Sequence, residues 1–159
     1  MSGTKIKNLK VLLDIIPKLK KQGKKIVFTN GCFDILHYGH VMYLEKAKAK
    51  GDILVVGLNS DSSVKHIKGK KRPIVNQRAR SQLIASLESV DYVVIFNQDT
   101  PLETIKKIKP DILIKGSDWN KNNIVGADFV KDCGGKVLTV EQAQGYSTTN
   151  LIKKIIETS

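Results

Sequence analysis

The sequence predicts an α/β fold: a doubly wound, parallel, five-stranded sheet with helices on both faces and one extra helix in front. Three observations predict it. Five short runs are apolar throughout rather than alternating, as in strands covered on both faces. The segments between them carry apolar residues three and four apart, the spacing of a helix face. The two kinds of segment alternate along nearly the whole chain, as strands joined by right-handed helical crossovers require.

Leu9, Leu12, Leu13 and Ile16 recur at helical spacing, with lysines between them. They place a leading helix in residues 8–22, which Pro17 is expected to disturb or to end in its first part. Lys25–Thr29 lies between Gly23 and Asn30–Gly31 and reads as a strand running into a turn. Val41, Leu44 and Ala47 share one face of a helix that stops near Gly51. Ile53–Leu58 is the second strand. Residues 59–75 are polar and basic and carry Gly69 and Pro73, so a loop is expected there. Arg78–Leu87 is helical, with Leu83, Ile84 and Leu87 expected inward. Tyr92–Phe96 is the third strand. Leu102–Ile108 is a helix entered through Thr100–Pro101. Ile112–Ile114 is the fourth strand, between Pro110–Asp111 and Lys115–Gly116. Val125–Lys131 is a short helix stopped by Gly134–Gly135, Val137–Val140 the fifth strand and Leu151–Ile156 a closing helix. No repeat, low-complexity tract or linker interrupts this order. Residues 1–159 are expected to form one Rossmann-like domain, with 1–23 as its leading segment.

A chain of 159 residues has the size of one domain. Its hydrophobic fraction of 41% and charged fraction of 26% exclude disorder and collagen-like structure. No apolar stretch is long enough for a bilayer, and the opening MSGTKIKN has no signal-like apolar core. No membrane association is expected. Cys32 and Cys133 are too few for a disulfide framework, so a cytoplasmic, reducing setting is expected. The net charge of +12 lies wholly in the first half of the chain, and only 3 of its 27 basic residues are Arg. Sparse Arg and sparse aromatics speak against nucleic acid as the partner. A positive field of this kind attracts phosphorylated small molecules.

In doubly wound sheets ligands bind beyond the carboxyl ends of the strands. The loops there are Asn30–His40, Asn59–Pro73, Asn97–Pro101, Lys115–Asn123 and Glu141–Thr149, and they hold the unusual residues. His37 and His40 stand three apart astride a helix start, where free amides and the helix dipole favour an anion. Gly31 and Gly39 allow close backbone approach. A histidine pair also suits a metal, but no further cluster completes a zinc set, and His66 is isolated. Lys68 and Arg72 flank Gly69 in a basic loop suited to phosphate. Lys65, Lys70 and Lys71 read as solvated charges. Asp34 either pairs with a cation near the phosphates or caps the following helix. Ser147, Thr148 and Thr149 open the last helix, where their hydroxyls cap it and suit a terminal phosphate. Cys32 has no general-base partner and reads as a small packing residue.

GCFDILHYGH resembles the first motif of the HxGH nucleotidyltransferases, which include cytidylyltransferases and pantetheine-phosphate adenylyltransferase. In order, VVGLNSD, KGKKRP, Arg80, SVDYVV, DTP, KPDILIKGSDW and GYSTT resemble one family, D-glycero-β-D-manno-heptose 1-phosphate adenylyltransferase, the adenylyltransferase domain of ADP-heptose synthase. The resemblance runs from about Lys24 to the C-terminus. That domain is fused behind a sugar kinase in many bacteria, and no kinase half precedes it here, so a stand-alone form is expected.

The resemblance implies adenylyl transfer from ATP to heptose 1-phosphate for surface-glycan or lipopolysaccharide precursors. It implies catalytic roles for His37, His40 and Lys68. It implies nucleotide contacts from Gly31, Cys32, Phe33, His37, Gly39, His40, Arg72, Gly116, Asp118, Tyr146, Ser147 and Thr148. Asp34, Lys68 and Arg80 are implied to bind the sugar phosphate, although Arg80 also suits a surface ion pair. Trp119 suits nucleotide contact or plain packing. Mg²⁺ is expected through the ATP phosphates, with no protein ligands of its own, and a homodimer is expected. Other readings are a glycerol-3-phosphate cytidylyltransferase, an FMN adenylyltransferase, or a non-catalytic nucleotide-binding or RNA-binding module. The cytidylyl enzymes typically read RTEGISTT where this chain has Gln142 to Thr149, so Gln142 replaces a basic residue.

Overall fold

The structure, a computed structural model, describes residues 4–159; the first three residues of the expected leading segment lie outside them. Helix α1 (Leu9–Lys21) leads into β1 (Ile26–Gly31), α2 (Tyr38–Lys48) and β2 (Ile53–Asn59). Then come α3 (Asp61–Lys68), α4 (Gln77–Ala85), β3 (Tyr92–Phe96) and α5 (Leu102–Ile108). Strand β4 (Ile112–Gly116), a 3₁₀ turn at Lys121–Asn123, α6 (Ala127–Asp132), β5 (Lys136–Val140) and α7 (Thr148–Thr158) complete the chain. The strands are parallel and ordered β3-β2-β1-β4-β5. This is the expected doubly wound, Rossmann-like fold with its N-terminal helix.

Period-two alternation splits the core across the sheet. Val27, Leu54 and Val56 point to one face and pack with Leu44 and Ala47 of α2 and Ile84 of α4. Ile26, Phe28 and Val55 point to the other, with Leu12 and Ile16 of α1, Ile105 and Ile108 of α5 and Val130 of α6. Each such side chain contributes about 1.5–3 kcal/mol on full burial. The stripe of α1 is therefore satisfied within the domain.

Several local expectations need correction. Helix α1 runs through Pro17 to Lys21 without ending. Pro17 is exposed and only forfeits one hydrogen bond, while Leu12 and Ile16 anchor the helix and Asn8 Oδ1 caps it by accepting from the Val11 amide at 2.9 Å. The expected loop at 59–75 contains α3. Its signal is a cap rather than a stripe: Ser60 Oγ accepts from the Ser63 amide, and Asp61 sits in the first turn. In α4, Leu83 faces outward, and Arg80 and Ser81 are buried beside Ile84 and Ala85.

The order of strands reverses between β1 and β4, so their following loops part and leave a crevice. A buried hydroxyl cluster fixes its floor. Thr29 Oγ1 and the Tyr43 hydroxyl hydrogen-bond at 2.7 Å, one donating to the other, and the Ile114 carbonyl lies within reach of both, at 3.0 and 3.3 Å, to accept the remaining proton. This joins β1, α2 and β4 just below the site. Among the described residues no helix is long and apolar enough to cross a membrane.

Candidate functional site

A cleft of about 480 Å³ opens at the carboxyl ends of the strands, over the switch point. His37 and His40 form one wall. The chain is extended at His37, the N-cap of α2, whose side chain makes no capping bond. The first-turn dipole of α2 therefore points into the cleft without a capping anion. The two rings stack with centroids 3.7 Å apart, and the Phe33 ring meets His40 edge-on at 5.1 Å. Phe33 takes the left-handed region at φ 45° to reach that position, a conformation that costs a non-glycine residue about 1 kcal/mol. Burial pushes His40 down to about 4, with His37 adding a smaller push in the same direction, and burial lowers His37 as well. Both rings are thus neutral at pH 7. Their Nδ1 atoms, and Asn30 Oδ1, are buried without a hydrogen-bond partner among the described residues. Such orphaned atoms in a cleft wall suit a polar ligand.

Gly39 and Gly116 mark the tight points. A Cβ on Gly39 would come within 2.9 Å of Tyr146 Cβ and 3.0 Å of His37 Cε1, so glycine lets α2 approach the loop before α7. A Cβ on Gly116 would strike Gln142 and Asp118, whose side chains bond to each other at 3.2 Å across it.

Asp34 occupies the second wall as a structural anion. It accepts from Arg72 Nε at 2.5 Å, the Ile74 amide at 3.0 Å and the Val75 amide at 2.8 Å. Burial pushes its carboxyl up, but the amides of Val75 and Ile74 and the Arg72 guanidinium outweigh that and hold it low. It pairs with a cation, as one of the two readings held, and does not cap α2. Arg80 is the larger correction. It is fully buried and does not line the cleft. Its Nε donates to the Val75 carbonyl, Nη1 to the carbonyls of Cys32 and Asn59, and Nη2 to Asp61. With its donors engaged inside the fold, it fixes the shape of the first loop rather than reaching a substrate. His66 is not isolated either: its Nδ1 lies 2.6 Å from Asp99 Oδ1 on the rim, and that hydrogen bond raises its pKa.

The cleft gathers Gly31, Cys32, Phe33, Asp34, His37, Gly39 and His40 from the first loop. It adds Lys68 from the end of α3, Arg72 from the loop that follows, Gly116 at the end of β4, and Tyr146, Ser147 and Thr148 before and within α7. Asp118 does not line it, whereas its neighbour Trp119 does. Ser147 caps α7 by accepting from the Asn150 amide at 3.0 Å. The Cys32 thiol is pushed up by burial, which outweighs the pull of Lys68, Arg80 and Arg72, and this suits a packing residue rather than a nucleophile. Asn30, Tyr43 and Lys115 also line the cleft and went unread in the sequence. The signal for Lys115 was a lysine ending an otherwise apolar strand, ILIKG.

Residues 28–154 match the family described as Cytidylyltransferase-like. The chain is 54% identical over 155 residues to a protein of Geobacter metallireducens named Bifunctional protein HldE, covering 98% of this chain and 32% of that protein. The protein of the same name from Pelobacter propionicus is 52% identical over 156 residues, with the same two coverages. The chain thus spans about a third of the length of the curated relatives it matches. Among solved structures, the lipopolysaccharide core biosynthesis protein of Thermoplasma volcanium is 30% identical with a TM-score of 0.63, covering 79% of this chain and 100% of that one.

Proposed function

The chain belongs to the cytidylyltransferase-like family, and from that membership we propose that it transfers the adenylyl group of ATP to D-glycero-β-D-manno-heptose 1-phosphate. An anomeric phosphate oxygen attacks the α-phosphorus in line, pyrophosphate leaves and ADP-heptose forms. The observation that carries the nucleotidyl-transfer reading is the stacked His37–His40 pair, with orphaned Nδ1 atoms beside the uncapped start of α2. The heptose acceptor rests on the KGSDW, DTP and GYSTT segments and on the HldE and lipopolysaccharide-core relatives.

A phosphate nucleophile is already ionised at neutral pH, so the site needs position and charge rather than a base. His37 and His40 donate to the phosphates. Lys68 on the rim and the Nη groups of Arg72, whose Nε serves Asp34, hold the remaining negative charge with the start of α7. Mg²⁺ belongs to this proposal through ATP, where it neutralises phosphate charge. The oxygens of Asp34, the carboxylate in the inner wall, are taken by Arg72, Ile74 and Val75, so the walls hold the phosphates rather than the ion. A cytoplasmic setting accompanies the proposal, with Cys32 and Cys133 as free thiols. So does a homodimer, because α7 buries none of its residues in the domain.

The test is kcat/KM for ATP or CTP with heptose 1-phosphate or glycerol 3-phosphate. The expected result is turnover with ATP and heptose 1-phosphate and little with the other pairings. Neutral Gln142 lacks the charged fork of the cytidylyl enzymes, and a site built for one base edge leaves polar groups unpaired with another. Preference for CTP with either acceptor would overturn the assignment.

A further inference from the structure

We propose that Lys115 is a phosphate-binding residue of the cleft, its ammonium meeting a phosphate oxygen of the nucleotide or of the phosphorylated acceptor, opposite the loop that carries His37 and His40. The inference rests on the nucleotidyl-transfer reading and adds a contact to it. Lys115 is the penultimate residue of β4, on the far side of the switch point from the loop after β1. It is only 9% exposed and lines the cleft. Lysine is rarely buried unless its charge is paired. Yet among the described residues its ammonium has neither a hydrogen bond nor an ion pair, only the Trp119 ring 5.3 Å away. A ring face offsets part of the lost hydration. It supplies no countercharge.

The facing groups do not supply one either. Asp118, on the same strand's exit, acts on Lys115 only at long range, and its Oδ1 accepts from Gln142 of the loop after β5. From the loop after β1 comes Cys32, which burial keeps a thiol. Elsewhere in the cleft lining Tyr43 is pushed up to about 12 by burial, and His37 and His40 are neutral. The result is a cation in the cleft wall whose electrostatic neighbours are the Cys32 thiol and the more distant Asp118, neither of them within hydrogen-bond or ion-pair reach of it among the described residues. Burial lowers Lys115 to about 8, and a bound phosphate would raise it again. A lysine that only packed against Trp119 would show no preference for phosphorylated ligands.

The experiment is calorimetry on the full chain with ligands that differ only in phosphate: AMP against adenosine, and heptose 1-phosphate against free heptose. Lys115→Met should weaken one phosphorylated ligand by about 10- to 100-fold, the loss of a charge-assisted bond, and leave its unphosphorylated counterpart unchanged. The ligand that suffers identifies the source of the phosphate. In the wild type, affinity for that ligand should fall as pH rises from 7 through 9 and the ammonium loses its proton. Lys115→Arg cannot lose its charge there and should lack that decline, which keeps a test in hand if Lys115→Met does not fold. Equal loss for both members of each pair, no loss at all, or an alkaline decline that persists in Lys115→Arg would overturn the proposal. Phosphate-dependent loss on AMP in an enzyme that ignores heptose 1-phosphate would sink the acceptor assignment alone. Undiminished ADP-heptose synthesis by Lys115→Met would sink the inference alone.

Discussion

His40 shows how far a single side chain is set by its surroundings. The stacked His37 ring and the Phe33 edge remove water from it, and the charged form is the one that suffers. A neutral imidazole still donates one N–H, so His40 can hold a phosphate oxygen at pH 7 without carrying charge. His40→Ala should therefore lower kcat by roughly 10²-fold or more, as loss of a fixed donor does, with the fold intact. Full activity in that variant would refute the role. The same burial has a pH signature. The folded pKa of about 4 lies below the ordinary 6.5, so the folded state binds fewer protons than the unfolded one. His40 leaves stability untouched above pH 6.5 and lowers it as pH falls from there toward 4. Tm of the wild type should then drop more between pH 7 and 5 than Tm of His40→Gln, and parallel curves would contradict the assignment. At this scale the sequence revealed residues whose type is unusual for their place, such as the histidines, Gly39 and Lys68. It did not reveal Arg80, whose role depends on carbonyls brought together from Cys32, Asn59 and Val75. No local pattern encodes that meeting. In the sequence Lys115 is only a strand boundary, and its lack of a partner among the described residues is a property of the folded cleft.

The elements were most legible where an apolar run or stripe is long. All five strands and helices α1, α2 and α5 stand where periodicity put them, with ends shifted by a few residues. Helix α3 was not legible because only Val64 of its apolar residues is buried, and its start rests on Ser60 instead of on a stripe. Helix α1 fills its expected span but is not broken at Pro17, because tertiary anchoring through Leu12 and Ile16 overrode a local penalty. That penalty should be recoverable: Pro17 is exposed, and Pro17→Ala restores an amide to the helix interior. It should raise stability by about 1 kcal/mol or more in denaturant unfolding. An unchanged or lower midpoint would mean that proline is accommodated without cost. The segment between α3 and α4 has almost no apolar anchor of its own and is held by Asp34. Asp34→Ala would leave Arg72 and two amides without their acceptor. It should destabilise the chain by about 3 kcal/mol and open Lys70 and Lys71 to trypsin. Trypsin sensitivity equal to the wild type would show that the segment is held by something else.

At the scale of the whole molecule, helices α1 to α6 each bury at least one apolar residue against the sheet or a neighbour, and α7 buries none. No residue of α7 is buried, and Ile155 and Ile156 are 50% and 71% exposed. A helix of 11 residues is marginal in water without packing. Its first residues nevertheless line the cleft: Ser147 and Thr148 take part in the wall, and Tyr146 sits against Gly39. The site therefore includes the start of a helix whose residues are at most half-buried in the domain. In the homodimer proposed above, a two-fold contact through the exposed stripe would bury it and fix the start of α7 in both protomers at once. Three results should then move together in Ile155→Glu/Ile156→Glu. Light scattering should change from dimer to monomer at micromolar concentration. Amide exchange should quicken across residues 148–158. KM for the nucleotide should rise while His40 remains in place and the melting transition of the sheet survives. A wild-type monomer at that concentration would refute the dimer. A monomeric variant with unchanged exchange and unchanged KM would show that α7 holds its part of the cleft without help.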